Sequence, residues 1–351
     1  MKTSFISNLS VQSAMRSTIN QVQSELMQAQ KEVVSGQLFN IGQELGGTTT
    51  RALDLRRERD MMDNLMATNS IVTQRLSSSQ MALETISNAG QTALSTLVAL
   101  AGSTDSTQLN TAVQTLSDVI DQFVDASNTS VNGEYIFAGI NTDVKPIGDY
   151  LDDETGARTM FNTAFTSFFG FDKTDPMAEF ITPAQMQSFL DTVVEPMYTT
   201  GPEWGTTWST ASDTPMTSRI SRTEVVQSSA SVNSEGFRQL AFGTIVGIEL
   251  LALPVSSDTR AIVSNKAIDF MGKAVYGIDG ERGLLGLSQN RVKMADEVLK
   301  AQVDIVKLNL DDLEGVDVYE ASTRITALSN QMEISYNLTA RISQLSLVNH
   351  V

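Results

Sequence analysis

The 351-residue chain has no cysteine and a single histidine, His350. Without cysteine there are no disulfides, no thiolate nucleophiles and no thiolate metal ligands. With one terminal histidine, Ser-His-Asp, Cys-His and HExxH arrangements are excluded within the chain. P-loop, GxGxxG and GxSxG sequences are also missing. Carboxylate clusters such as Asp152-Asp153-Glu154 and Asp311-Asp312 lack the glycine-bearing DxDxDG spacing of a calcium loop and read as solvated loops. No enzymatic activity, cofactor or metal is therefore expected. Positive charge is scarce as well: 24 Lys and Arg stand against 41 Asp and Glu, a net charge of −17, which disfavours a phosphate-binding role. The longest largely apolar stretch, Ile245 to Val255, is about half of the ~20 residues that cross a bilayer. Met1 to Ser10 carries Lys2 but no apolar segment after it, so no cleavable Sec-type signal is expected.

Proline is confined to the middle of the chain. All seven prolines lie between Pro146 and Pro254, together with 13 of the 22 aromatic residues. Proline removes a backbone donor and clashes with the preceding helical turn. Residues 1–145 and 255–351 are thus free to form long helices on either side of an aromatic- and proline-bearing insert.

In the first flank, Met15, Ile19, Val22, Leu26, Ala29 and Val33 are spaced 4, 3, 4, 3, 4, an apolar seam in search of a partner helix. Ser35-Gly36 ends it, because glycine takes the left-handed position after a helix without a Cβ penalty. Gln37 to Thr50, with Gly42, Gly46 and Gly47, reads as a linker. Arg51 to Ala101 carries a second seam through Leu55, Met62, Val72, Leu76, Leu83, Ile86 and Leu97; fifty helical residues extend ~75 Å. Gly102 to Asp105 reads as a turn, and Gln108 to Ser127 as a further helix.

Gly133 to Gly139 is short, β-prone and bounded by glycines, which predicts a strand or half a hairpin. The insert mixes glycine, proline and clusters such as Phe165, Phe168, Phe169 and Phe171, suggesting α+β structure with Arg219 to Gln227 as a last strand. Asn233 or Ser234 caps a helix that Pro254 ends, and Ser257-Asp258 caps another through Ala274. Gly277 to Gly280 is expected to turn the chain into the last flank. There Val292, Leu299, Val303, Val306, Leu310 and Leu313 follow heptad spacing, with Asp296 as the polar exception. After a break at Glu314 to Asp317 the final helix carries Ala321, Ile325, Leu328 and Met332, then Ile334, Leu338, Ile342 and Leu345. Pairing the two ends closes a loop of nearly the whole chain at a cost of roughly 5 kcal/mol, which one long apolar seam exceeds. The ends are expected side by side, with the insert projecting at the far end. The expected fold is mainly α: a long antiparallel coiled-coil or bundle rod from the two flanks, with an inserted α+β or β-rich domain. The boundaries are 1–34 plus 318–351 for a terminal assembly region, 35–140 plus 231–317 for the helical rod, and 141–230 for the insert.

The chemistry of the last helix separates it from an ordinary solvent-facing one. Ala321 to Val348 holds 13 apolar residues, 12 from Ser, Thr, Asn and Gln, and only three charges, Arg324, Glu333 and Arg341. Between Met332 and Ile334 the seam shifts by two, which spreads apolar residues around the circumference. Such a helix suits burial among several neighbours, and Met15, Ile19, Val22, Leu26, Val33, Ile325, Leu328, Met332, Leu338, Ile342 and Leu345 are the expected subunit-interface residues. Gly243 and Gly247 mimic a GxxxG contact, better read as close packing in a soluble bundle. Arg51, Arg56, Arg57 and Arg59 form one basic cluster. Arg56 with Asp60 and Arg59 with Asp63 have i,i+4 spacing, which reads as a solvated face, the alternative being a charged contact with a partner subunit.

The stretch from Asn20 to Phe39 ending in Val33-Val34-Ser35-Gly36, the run Arg282 to Arg291 with Gln289, Asn290 and Arg291, and the pattern Leu313 to Ala321 leading into Ala340 to Leu347 together resemble the flagellin superfamily. The resemblance covers the two flanks, about two thirds of the chain, and omits the insert. Within it, Gly133-Glu134-Tyr135-Ile136-Phe137-Ala138-Gly139, followed by Asn141-Thr142-Asp143 and Pro146, is similar to the G-x-Y-x-F-x-G signature of the hook-filament junction branch, the hook-associated protein 3 family. Residues 40–50 lack the Ser/Asp/Pro-rich run that many members carry, and the chain ends Val348-Asn349-His350-Val351. The resemblance implies a structural, non-enzymatic adaptor of the bacterial flagellum, secreted by the flagellar type III export apparatus, with an export chaperone and without a cleaved signal. Its implied partners are other copies of itself, hook-associated protein 1 on the hook side and flagellin on the filament side, with no nucleic acid. A flagellin subunit of the filament is the alternative reading, and an adhesin-like surface protein the third.

Overall fold

The structure of the chain, a computed structural model, describes residues 8–100 and 103–348, with the side chains of Asn8, Leu9, Gln12 and residues 342–348 outside the description. It is mainly α, as the sequence predicts. The helices are α1 (Asn8–Ser35), α2 (Ile41–Glu44), α3 (Thr49–Ala99), α4 (Ser106–Ser127), α5 (Ala157–Phe169), α6 (Pro183–Phe189), α7 (Glu195–Thr199), α8 (Glu235–Leu250), α9 (Ser257–Glu314) and α10 (Val318–Val348). Two antiparallel hairpins interrupt them: β1 (Ser130–Val131) with β2 (Glu134–Tyr135), and β3 (Thr217–Arg219) with β4 (Val225–Gln227).

Local chemistry explains most boundaries. The carboxylate of Asp105 accepts hydrogen bonds from the amides of Thr107 (2.8 Å) and Gln108 (3.3 Å) and starts α4; of the turn expected before it, Gly102 lies outside the described residues. Thr182 and Gln185 form a reciprocal capping box at α6, with Pro183 in the first turn. Asn132 (φ +54°) and Gly133 (φ +85°) form the two-residue Asn-Gly turn that matches strand twist and closes the first hairpin.

Several expectations are corrected. The linker at Gln37 to Thr50 contains α2 and a 3-10 turn at Gly46–Thr48. Arg219 to Gln227 is not one strand: the chain reverses between β3 and β4, where the amide of Ile220 donates to the carbonyl of Glu224. Ser234 occupies the N-cap of α8 without a side-chain bond, and Asn233 is engaged by Trp204 and Ser209 instead. At α9 the hydroxyl of Ser256, rather than Ser257 or Asp258, accepts from the amide of Thr259.

The largest correction concerns Gly277 to Gly280, which do not turn the chain. α9 runs unbroken for 58 residues. A Cβ on Gly277 would lie 2.8 Å from the Cα of Gly236, and one on Gly236 would lie 2.7 Å from the amide nitrogen of Ile278. These glycines let the backbones of α8 and α9 touch, and the spacing that suggests a turn serves a helix crossing.

Residues 65–298 form one compact unit. Its core is continuous: Leu76, Leu83 and Ile86 of α3, Leu116, Ile120 and Phe123 of α4, nearly all of α8, and Val263, Met271, Ile278, Leu285 and Val292 of α9 share it with Phe161, Phe165, Phe189, Trp204 and Trp208 of the middle segment. Gly243 packs against the carbonyl of Ala267 and Gly247 against Leu116, the bundle packing expected of that pair. Glu249 of α8 is buried and accepts from Arg158 (3.0 Å), from Lys173 and from the hydroxyl of Tyr150 (3.3 Å), tying the middle segment to the helical core. Burial pushes the Tyr150 hydroxyl far above the ordinary phenol range, with the nearby Tyr198 and Glu249 adding to the rise.

The second unit comprises the residues up to 64 and those from 299 onward. There α1 lies antiparallel to α10, as Gln23–Tyr336 (2.8 Å) and Glu32–Arg324 (3.3 Å) bonds show. Ala52 and Met62 of α3, and Leu299, Val303, Val306 and Leu310 of α9, are buried. At the joint, Gly36 (φ +71°) ends α1, the amide of Leu38 donates to the carbonyl of Glu314 (2.8 Å), and the amide of Val316 donates to that of Gly36 (3.0 Å).

Candidate assembly surface

The paired terminal helices bury a narrow apolar seam and leave other apolar side chains exposed. Their inner face consists of Ile19, Val22, Ala29, Ala321 and Leu328, with Met15, Leu26, Val33, Ile325 and Met332 half-buried beside it. Nine of the eleven expected interface residues can therefore be placed, and Ile342 and Leu345 have side chains outside the described residues. The structure brings eight of those nine to the seam between α1 and α10. Leu338 is the ninth, 47% exposed, and Ile334 beside it is 66% exposed. The shift after Met332 carries this part of the stripe off the seam.

The outer faces are largely polar but carry exposed apolar side chains. On α1, Met27 is 59% and Val34 88% exposed, and Phe39 follows at 42%. With Gln30, Lys31, Ser35, Gln37 and Leu38 these side chains line a groove of about 580 Å³, where the ammonium of Lys31 lies 5.1 Å from the centre of the Phe39 ring. On α10, Val318 and Tyr319 are exposed, Tyr319 by 87%. Asp317 holds this first turn by accepting from the amides of Tyr319 (2.8 Å) and Glu320 (3.4 Å). Single exposed apolar side chains are ordinary, but groups of them on helices this poor in charge are the candidate interaction surface.

The basic cluster is wired differently from its spacing. Arg56 pairs with the buried Glu314 (2.6 Å) rather than Asp60, and Arg59 pairs with its neighbour Asp60 (2.7 Å) rather than Asp63. Long-range burial of Glu314 decides this, since a buried carboxylate demands a counter-charge that a solvated Asp60 does not. Arg57 meets Asp54 at 3.5 Å and Arg51 is exposed. With Gln37, Lys307, Leu310, Asp311 and Glu314, Arg56 and Arg59 line a cleft of about 430 Å³.

The signature segment is built into the core of the other unit. Gly133 closes the hairpin; Arg75 donates to the carboxylate of Glu134 (2.6 Å) and to the carbonyl of Tyr135 (3.2 Å). Phe137 is fully buried, its ring 5.5 Å from that of Phe237. A Cβ on Gly139 (φ +61°) would collide with the carbonyl of Ser212, so only glycine fits there. Gln289 turns inward to Ser77 (3.0 Å), whereas Asn290 and Arg291 face solvent, Arg291 at 4.0 Å from Glu224. Sequence reasoning did not identify Glu32, Glu249 or Glu314, because a buried carboxylate looks like a surface one until its partner, 76 to 292 residues away, is in place.

Among the described residues no group of three His, Cys, Asp or Glu side chains is arranged to hold a metal, and no helix is long and apolar enough to cross a membrane. A model of the bacterial flagellin N-terminal helical region matches residues 6–142, and a model of the bacterial flagellin C-terminal helical region matches residues 268–351. Among solved structures, a Vibrio parahaemolyticus chain assigned as a flagellar hook-associated protein is similar in fold, with 12% identity, a TM-score of 0.53, and coverage of 76% of this chain and 97% of that one. No curated protein matches the chain. The two helical-region models span more than half of the sequence and fall on the helices that carry the candidate assembly surface, and the chain belongs to the bacterial flagellin family.

Proposed function

We propose that this flagellar structural protein is the adaptor that joins the hook, through hook-associated protein 1, to the flagellin filament. The observation that carries its assembly role is the set of large apolar side chains, Met27, Val34, Val318, Tyr319, Ile334 and Leu338, that α1 and α10 leave in water in an isolated protomer. In this reading residues 1–34 and 318–351 are the assembly region, residues 35–140 with 231–317 the supporting rod, and residues 141–230 the outward part. Arg51, and Arg57 with its exposed and loosely held Asp54 pair, face outward toward an acidic neighbour, while Arg56 and Arg59 stabilise their own protomer. The junction position is favoured by the Gly133 to Gly139 segment, with its hairpin turn, buried Phe137 and sterically required Gly139, and by the hook-associated assignment of the similar Vibrio chain. The protein leaves the cell through the flagellar type III apparatus, with an export chaperone holding the terminal helices until assembly.

The second reading, a filament flagellin, is supported by the two helical-region matches, which are common to the family. Deleting the gene separates the two. A junction protein's loss leaves hooks intact and sends flagellin monomer into the medium; cells that keep their filaments, or purified protein that polymerises alone into long filaments, exclude the junction role.

A further inference from the structure

The groove on α1 and the first turn of α10 are complementary. The groove has apolar walls from Met27, Val34, Leu38 and Phe39, and its one charged lining residue is Lys31. The turn presents the ring of Tyr319, 87% exposed, with Val318 beside it and the carboxylates of Asp317 and Glu320 on either side. Asp317 caps the helix and Glu320 lies 3.9 Å from Arg324 of the next turn, so the turn carries two carboxylates against one guanidinium and stays net negative opposite the cation at the groove, while an exposed aromatic answers an open apolar slot.

These two features of one protomer do not meet each other. At 100° per residue, Met27 and Val34 lie roughly 130° around α1 from the Val22, Ala29 and Val33 seam, and Tyr319 lies roughly 170° around α10 from Ala321 and Leu328. Each faces away from its partner helix, so groove and turn occupy opposite flanks of the pair. They are nevertheless at the same level along it, because the amide of Val316 bonds the carbonyl of Gly36. Complementary patches on opposite flanks make a head-to-tail contact, which repeats into a ring where the rotation closes and into a helical array where it does not.

We propose that the groove formed by Met27, Val34, Leu38 and Phe39 receives Tyr319 of a second copy of this chain, with Lys31 placed against that copy's Asp317 and Glu320. The docking presupposes the self-assembling role proposed above and assigns it a specific contact. With a net charge of −17 on each copy, long-range repulsion opposes association, so contact depends on this local complementarity and strengthens when salt screens the rest.

Sedimentation velocity on the full-length chain in sulfate buffer, which favours apolar burial, tests it. Wild-type protein is expected to form oligomers, while Tyr319→Ala and Val34→Asp each require at least about tenfold higher concentration. A 1:1 mixture of these variants is expected to form dimers and nothing larger, since one supplies an intact groove and the other an intact turn. Lys31→Glu is expected to weaken association and the double variant Lys31→Glu/Glu320→Lys to restore it. All these side chains are exposed, and an unchanged helical circular dichroism spectrum checks that the variants fold. If wild type and both single variants oligomerise alike, the contact is wrong and the assembly role stands. A mixture that stays monomeric beside an oligomerising wild type also overturns the contact. A wild-type chain that stays monomeric throughout overturns the self-assembling role and the contact with it.

Discussion

Gly277 and Gly280 sit three residues apart on α9, and their replacement by alanine is expected to have opposite effects. Alanine at an exposed helical site gains about 1 kcal/mol over glycine. At Gly280 a Cβ meets nothing within 4 Å, so Gly280→Ala should stabilise by about that amount. At Gly277 the new Cβ meets the Cα of Gly236 at 2.8 Å and its nitrogen at 3.1 Å. Both are backbone atoms that cannot rotate aside, so α8 and α9 must separate, at an overpacking cost of about 3 kcal/mol. The helix gain offsets part of it, leaving Gly277→Ala about 2 kcal/mol less stable than wild type and about 3 kcal/mol below Gly280→Ala. Trp204 and Trp208 are buried in the same unit and report its unfolding by fluorescence in urea. With a slope of about 2 kcal/mol per molar, the two midpoints should differ by roughly 1.5 M. Equal stabilisation by both substitutions would refute the helix-crossing role of Gly277.

Glu249→Gln leaves Lys173 and Arg158 without their counter-charge; it should cost about 2–4 kcal/mol in thermal unfolding, nearer the lower value because the Arg158 side chain is 40% exposed. Gly133→Val forces a β-branched residue to φ +85° and should lower stability by about 1–2 kcal/mol, while Gly42→Val, at a glycine without positive φ or close neighbours, should change little. The hydrogen bond from Lys266, with one from Gln187, holds the Asp191 carboxyl below the ordinary value of 3.8, so its stabilisation is present above that pH and lost as pH falls through the lower folded value. Burial opposes the charge of Lys266, but its bonds to Asp191 and Glu195 outweigh that and raise it above 10.5; its contribution is present below 10.5 and lost as pH rises through the higher folded value. Asp191→Asn should therefore flatten the acid limb of the stability curve below about pH 4, and an unchanged acid limb would assign that loss to other groups.

Periodicity made the long helices legible. The spacing of Leu76, Leu83 and Leu97, or of Val292, Leu299 and Val306, repeats a face that only a helix keeps together, and proline-free flanks left it uninterrupted. The break at Glu314 to Asp317 was legible for the same reason. Glycine was ambiguous, because Gly277 permits either a turn or a close crossing, and only the position of Gly236, 41 residues earlier, decides between them. Asn132-Gly133 was the readable sign of a complete hairpin, but the glycine-bounded window starting at Gly133 excluded its first half. In the middle segment, capping pairs such as Thr182 and Gln185 were locally encoded, whereas its shared core with α3, α4, α8 and α9 depends on contacts that no local pattern records. The candidate assembly surface was half legible: composition identified α10 as short of charge, yet which residues face α1 and which face outward was set by the register with Val22 and Ala29.

In the proposed assembly, α1 and α10 are completed by other subunits. Hydrogen exchange compared between monomeric and assembled full-length protein tests it most directly. In the monomer, amides of residues 318–348 should exchange far faster than those of the buried helix α8, since few apolar side chains hold the pair together. On assembly they should slow by roughly a hundredfold or more, with α8 unchanged. Protection of α10 equal to that of α8 in the monomer, and unaltered on assembly, would contradict the claim.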